Sequence, residues 1–152
     1  MTVFERVEAK LRQAGVPFTV TRHAPVFTSE EAAAVRGTPL ASGAKALVVK
    51  AGDSFSLLVM PADRKLDSKA ARASLGVKAI RFATGEEVER LTGLKPGSIP
   101  PFGSLFGLAT HCDPALGANE AINFNAGDHS ISVHMAYADY LRAEAPSLKQ
   151  LT

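Results

Sequence analysis

Lys45 is the charged residue whose position demands an explanation. It opens the apolar run Ala44 to Lys50 (AKALVVK), where strand alternation puts it on the same side as Leu47 and Val49. An unpaired charge on the apolar side of a strand is costly. Such a lysine either grips a phosphate or carbonyl oxygen in a pocket, or snorkels from a sheet edge. The second feature is the loop Gly97-Ser98-Ile99-Pro100-Pro101. Prolines beside glycine stiffen a loop and can aim backbone N–H groups at an oxygen, which is what an oxyanion site requires; plain turns share the composition. The third is basic: Lys65, Lys69 and Arg72 fall on one side of an expected helix. That face is either a rail for a phosphate backbone or an ordinary solvated surface. No aromatic residue interleaves it, so base stacking there is not expected.

Other chemistry is poorly supported. His111-Cys112-Asp113 are neighbours in sequence, which does not make a thiol and base face each other. A lone cysteine, Cys112, excludes an internal disulfide and more often packs as a small hydrophobe. His129 and His134 fall on opposite faces if both lie in one strand, and His23 would join them only through the fold. No metal site is expected. No Gly-rich nucleotide loop or G-x-S-x-G elbow is present, and no cofactor is implied.

The elements that must hold these residues are marked along the chain. Thr2 to Glu5, Thr28 to Glu31 and Thr84 to Glu87 have capping-box spacing and open three helices. Asp67 caps a fourth, through Leu75, with Leu66, Ala70 and Ala73 on its apolar side, and Tyr137 to Ala143 make the last. Pro17 to Arg22 and Lys78 to Phe82 read as short strands. Ala44 to Lys50 and Ser54 to Met60 flank Ala51-Gly52-Asp53 as a hairpin, apolar enough to be covered on both faces. Gly93 to Gly103 holds three prolines and three glycines in eleven residues, a loop by composition. Leu105 to Ala109 reads as a strand, and Glu120 to Asn125 with Ser130 to His134 as a second hairpin. Interleaved helices and strands with antiparallel hairpins predict one α/β (α+β-like) domain over residues 1–152, built on a mixed sheet.

Composition narrows the class. With 152 residues, 46% hydrophobic and 21% charged, the chain can bury its own core. No apolar run is long enough to span a bilayer, and the first ten residues carry Glu5, Arg6, Glu8 and Lys10 rather than a signal core, so a cytoplasmic protein without membrane contact is expected. The net charge is only +2, yet Arg64 to Arg81 holds six basic residues against Asp67. A local basic patch binds phosphates even when the total is small.

Four stretches in this order resemble the YbaK/ProX family: His23-Ala24-Pro25-Val26-Phe27-Thr28-Ser29-Glu30-Glu31, Gly43-Ala44-Lys45-Ala46-Leu47-Val48-Val49, Met60-Pro61-Ala62-Asp63-Arg64-Lys65-Leu66-Asp67, and Gly97-Ser98-Ile99-Pro100-Pro101. These are free-standing relatives of the editing domain of bacterial prolyl-tRNA synthetases. The resemblance implies a compact YbaK-like fold with a curved mixed sheet, and hydrolysis of wrongly charged tRNA, alanyl or cysteinyl tRNA-Pro first and seryl or threonyl esters next. It implies that Lys45 contacts the tRNA acceptor end and that the loop, with Gly97, Ser98 and Pro101, holds the aminoacyl group. A ribose hydroxyl of the tRNA would help activate water, so no side-chain nucleophile is needed. Phe27, Thr28, Met60, Ile99 and Phe102 are the expected pocket lining, and Asn125, Gly127, Asp128 and His129 a turn that closes it. Lys65, Lys69 and Arg72 would meet the tRNA backbone, and a prolyl-tRNA synthetase is the implied partner. Pro100 departs from the family loop by removing one amide donor. A non-catalytic module that binds tRNA ends or a synthetase is the alternative, and Thr110 to Asn119 has no assigned role.

Overall fold

The computed structural model describes residues 1–152. Its helices begin where local chemistry satisfies their free amides. Thr2, Thr28 and Thr84 each accept the amide three residues on, while Glu5, Glu31 and Glu87 reach back to the threonine amide. These reciprocal bonds start α1 (Val3–Gln13), α2 (Ser29–Arg36) and α4 (Gly85–Thr92). Asp67 caps α3 (Ser68–Leu75), and α5 (Tyr137–Glu144) has no side-chain cap.

The strands are β1 (Thr19–Arg22), β2 (Ala44–Ala51), β3 (Ser54–Pro61), β4 (Ile80–Phe82), β5 (Ala109–Cys112), β6 (Ala121–Asn125), β7 (Ile131–Ala136) and β8 (Ser147–Leu148). They divide into two sheets rather than one. An antiparallel sheet has the order β1-β7-β6; a mixed sheet has the order β4-β2-β3-β5-β8, with β5 parallel to both neighbours. A bridge between Gly43 and Asn123 joins them just before β2 begins.

The β2–β3 hairpin is covered on both faces, as its continuous hydrophobicity requires. Ala44, Val48, Leu57 and Val59 enter the larger core with the β6–β7 hairpin, α1 and α5. Val49, Leu58 and Met60 face α3 in a smaller cluster with Ala71 and Leu151. Lys45 stands opposite Met60 in the register, so it begins the α3-facing side of the sheet beyond the end of that cluster.

Two local expectations are corrected, and one further strand is found. Leu105 to Ala109 is not a strand: Gly103–Phe106 forms a 3-10 turn and β5 starts at Ala109. The Gly103 amide donates to Thr110 Oγ1, and the Glu144 carboxylate accepts from the Ser104 amide and from the Ser104 and Thr110 hydroxyls, which folds the segment back on β5. The inward side of α3 is Ala71 with partly buried Leu66 and Leu75, whereas Ala73 is exposed. Finally, β8 carries no sequence signal; it docks because Asp113 accepts from the Leu151 amide and from the amide and hydroxyl of Thr152.

Candidate active site

The β2 start, one face of α2 with its N-cap, the 38–43 turn, the Gly97 loop and the end of β6 enclose a cavity of about 180 Å³. Lys45 and Arg36 are its only charged lining residues, and no acid lines it. An open groove lined by Glu30, Asp63, Arg64 and Lys65 adjoins it, and Lys45 lines both spaces. Lys45 is half-buried, and its Nζ donates to the Arg64 carbonyl. Burial lowers its pKa from the ordinary lysine value; Asp63 and Glu30 oppose this, and Lys65 adds to it. No carboxylate pairs with it at contact distance, so its cation remains available to a ligand oxygen.

The Gly97 loop is pinned to the β6 end at two successive peptides. The Gly97 carbonyl accepts from Asn125 Nδ2 at 2.9 Å, and the Ser98 carbonyl accepts from the Gly127 amide at 2.8 Å. Gly97 has φ +92°, a conformation that side chains disfavour. Pro100 and Pro101 have no N–H, and the Ile99 amide donates to no protein group. Ile99 lines the cavity. The loop therefore presents a stiffened backbone with an uncommitted donor, the element needed to meet a developing oxyanion.

Several expected residues do meet here. Phe27, Thr28, Ile99, Gly97, Lys45 and Asn125 line the cavity. Phe27 is 70% exposed at the mouth, with its ring 4.8 Å from that of His129. His129 Nδ1 contacts the Val26 carbonyl at 3.1 Å, which holds the imidazole beside Phe27. Thr28 also caps α2, so its hydroxyl is already engaged by the Glu31 amide.

Other expected residues lie outside the cavity. Met60 and Phe102 are fully buried in the core and do not line the cavity. Met60 turns toward α3, and Phe102 packs edge-on against Phe124 and Tyr140. The Ser98 hydroxyl donates to the Lys95 carbonyl and the Pro101 carbonyl accepts from Tyr140, so these two residues frame the loop without lining the cavity. Gly127 and Asp128 build the β6–β7 turn: Asp128 accepts from the Ser130 amide and hydroxyl, which lowers its pKa, the hydroxyl bond contributing most. A Cβ on Gly127 would lie 2.8 Å from Val3 Cγ1. Lys69 and Arg72 lie exposed on α3, away from the cavity; Lys65 alone of the three reaches the groove.

Cys112 is buried, and burial pushes its thiol up to about 12, with Asp113 adding to the shift. It is no nucleophile at neutral pH. The histidines are dispersed: His134 Nδ1 donates to Asn123 Oδ1, and His23 bonds Ser132. No three His, Cys, Asp or Glu side chains gather as a metal site. Sequence reasoning missed Arg36, Asn123 and Phe124, all of which line the cavity. Arg36 carried one usable signal, as the last residue of a capped helix before Gly37, but nothing local gave its direction.

No helix is long and apolar enough to cross a membrane. The aminoacyl-tRNA editing domain model matches residues 23–143, which include every element around the cavity. The chain is 38% identical over 149 residues to the multifunctional Ser/Thr-tRNA deacylase ProXp-y of Escherichia coli, covering 95% of this chain and 89% of that protein. It is 25% identical over 145 residues to the prolyl-tRNA editing protein ProX of Acetoanaerobium sticklandii, covering 91% and 88%. The fold superposes with a TM-score of 0.88 on a crystal structure described as a trans-editing enzyme for prolyl-tRNA synthetase, at 24% identity, over 100% of this chain and 98% of that one. With a cavity built from the four motif stretches and a family match over most of its length, the chain belongs to the aminoacyl-tRNA editing domain family.

Proposed function

We propose that this protein hydrolyses the ester linking a small amino acid, serine or threonine first, to the 3′ end of a tRNA. The observation that carries this is the position of Lys45 at the junction of a small enclosed cavity and an open groove. An aminoacyl group fits the cavity, and the acceptor end follows the groove past Lys45 to Lys65. Lys69 and Arg72 extend that basic surface along α3. The 38% identity to a Ser/Thr-tRNA deacylase supports the choice of amino acid, as do the polar side chains of Thr38, Asn123 and Asn125 in the cavity wall.

The chemistry asks little of side chains. Water adds to the ester carbonyl, the carbon–ribose oxygen bond breaks, and the proton of water passes to the departing ribose oxygen. An aminoacyl ester is activated already, so positioning and charge stabilisation suffice. The Ile99 amide is the donor for the oxyanion; Lys45 holds an acceptor-end oxygen. The neighbouring ribose hydroxyl of the tRNA orients the water, which agrees with a cavity lacking any acid or thiolate. Larger aminoacyl groups are rejected by volume. Alanine or cysteine on tRNA-Pro is the second reading, favoured by the ProX relative and by the apolar wall of Ile99, Phe124 and Ala46. A synthetase, prolyl first, would serve as a partner by raising local concentration.

The test is a panel of tRNAs bearing labelled serine, threonine, alanine, cysteine, proline or phenylalanine. Clearance of seryl and threonyl esters ahead of alanyl and cysteinyl supports the first reading, and the reverse order the second. Retention of every ester, with prolyl-tRNA synthetase added, would refute both.

A further inference from the structure

Arg36 stands in the last turn of α2, half-buried in the cavity wall, with no carboxylate partner. Its Nε donates to Ser132 Oγ at 2.8 Å and its Nη2 donates to Asn125 Oδ1 at 2.8 Å. Asn125 Nδ2 then donates to the Gly97 carbonyl at 2.9 Å. The orientation of the Asn125 amide is not free. Reversed, it would set NH2 against the guanidinium and its oxygen against the Gly97 carbonyl, two repulsive pairs. Arg36 therefore dictates that Asn125 presents a donor to the loop.

The chain of bonds extends outward. Ser132 Oγ accepts from Arg36, so its own hydrogen is free for His23 Nε2 at 2.7 Å, while His23 Nδ1 donates to the Ala24 carbonyl at 2.8 Å. Every group from Ala24 to Gly97 has one consistent role. We propose that Arg36 is a positioning residue for the Gly97–Pro101 loop: through Asn125 it fixes the Gly97–Ser98 peptide, and so sets where the next peptide begins, the one that carries the uncommitted Ile99 amide and whose Ser98 carbonyl the Gly127 amide holds.

A stabilising role does not account for this arrangement. Burial lowers the guanidinium pKa to about 10 with no anion in compensation, a cost that offsets what its two hydrogen bonds contribute to folding. The Gly97 and Ser98 carbonyls are held on one side, by Asn125 and Gly127. Trans peptide geometry then points the following amides the opposite way.

The inference rests on the deacylase reading for its kinetic readout, and a spectroscopic readout tests it independently. Arg36→Met and Asn125→Asp would be compared with wild type and with the double variant. The aspartate still accepts from Arg36 but offers nothing to Gly97. Loss of the charge-assisted Arg36 bond in one variant, or of the neutral Asn125 bond to Gly97 in the other, is expected to reduce kcat roughly tenfold, with little change in KM. The double variant should be no worse than the more affected single, because both act through one tether. Arg36→Met should match wild type in thermal midpoint or exceed it, and both single variants should shift the Ser98 and Ile99 amide resonances in the same direction. Wild type that clears no ester would defeat the deacylase reading while the amide shifts still decide the tether. Unshifted amides, or a raised KM with kcat intact, would overturn the positioning role and make Arg36 a direct anion contact. A lowered midpoint in Arg36→Met with additive kinetic losses would make it structural.

Discussion

Replacing Lys45 with alanine separates catalysis from folding more cleanly than any other single change. The lysine is half-buried, its Nζ bonds the Arg64 carbonyl, and it has no carboxylate partner at contact distance. A hydrogen bond from a charged donor nets about 1.5–3 kcal/mol, equivalent to roughly a 10- to 150-fold change. Lys45→Ala should therefore lower kcat/KM for aminoacyl-tRNA by about that factor. Folding should barely notice, because the lost carbonyl bond and the relieved desolvation oppose each other. The pH dependence gives a second signature. The folded pKa of Lys45 lies below its unfolded value, so between the two the unfolded chain binds more protons. This group's contribution to stability therefore rises as pH climbs through the folded pKa toward the ordinary lysine value, and Lys45→Ala should flatten that rise. Single-turnover deacylation with a saturating series of enzyme concentrations measures the kinetic part, and thermal melts from neutral to alkaline pH the other. Unchanged kcat/KM in Lys45→Ala would refute the assignment. A fall in activity that merely tracks a fall in melting temperature would do the same.

Four further outcomes follow from the geometry. Cys112→Ala should keep full deacylase activity, and the wild-type thiol should resist a disulfide reagent at neutral pH because burial holds it protonated; rapid modification of the folded protein would contradict this. Gly127→Ala should cost roughly 1–3 kcal/mol, since φ is +84° and the new Cβ meets Val3, and a urea titration would detect it as an earlier midpoint. Lys65→Glu should raise KM for tRNA more than Lys69→Glu and weaken the salt dependence, because only Lys65 lines the groove; equal effects would relocate the tRNA path onto α3. Burial opposes the charged form of Asp113, but bonds from Ala115, Leu151 and Thr152 together hold its pKa below the ordinary carboxylate value. Its contribution is present above the unfolded pKa and lost as pH falls through the folded one, so Asp113→Asn should destabilise the protein at neutral pH and much less in acid.

The elements were legible in the chain because their causes are local. Thr28 and Glu31 satisfy each other's amides within one turn, and the Ala51-Gly52-Asp53 turn aligns two apolar runs, whatever surrounds them. Lys45 was legible for the same reason: strand alternation alone set it on the Leu47 and Val49 side, and the ordered motifs marked the loop at Gly97. Packing decided the rest. Met60 and Phe102 have the size and polarity of pocket residues, but only the α3 cluster and the Phe124–Tyr140 ring contacts determine that they point elsewhere. Arg36 and Asn125 lie 89 positions apart, and their bond exists because two sheets meet at the Gly43–Asn123 bridge and bring α2 beside the end of β6. Caps, turns and alternation act over a few residues and are written there. The direction of a buried side chain, and the company of a charged one, depend on surfaces that come together only when the chain is folded.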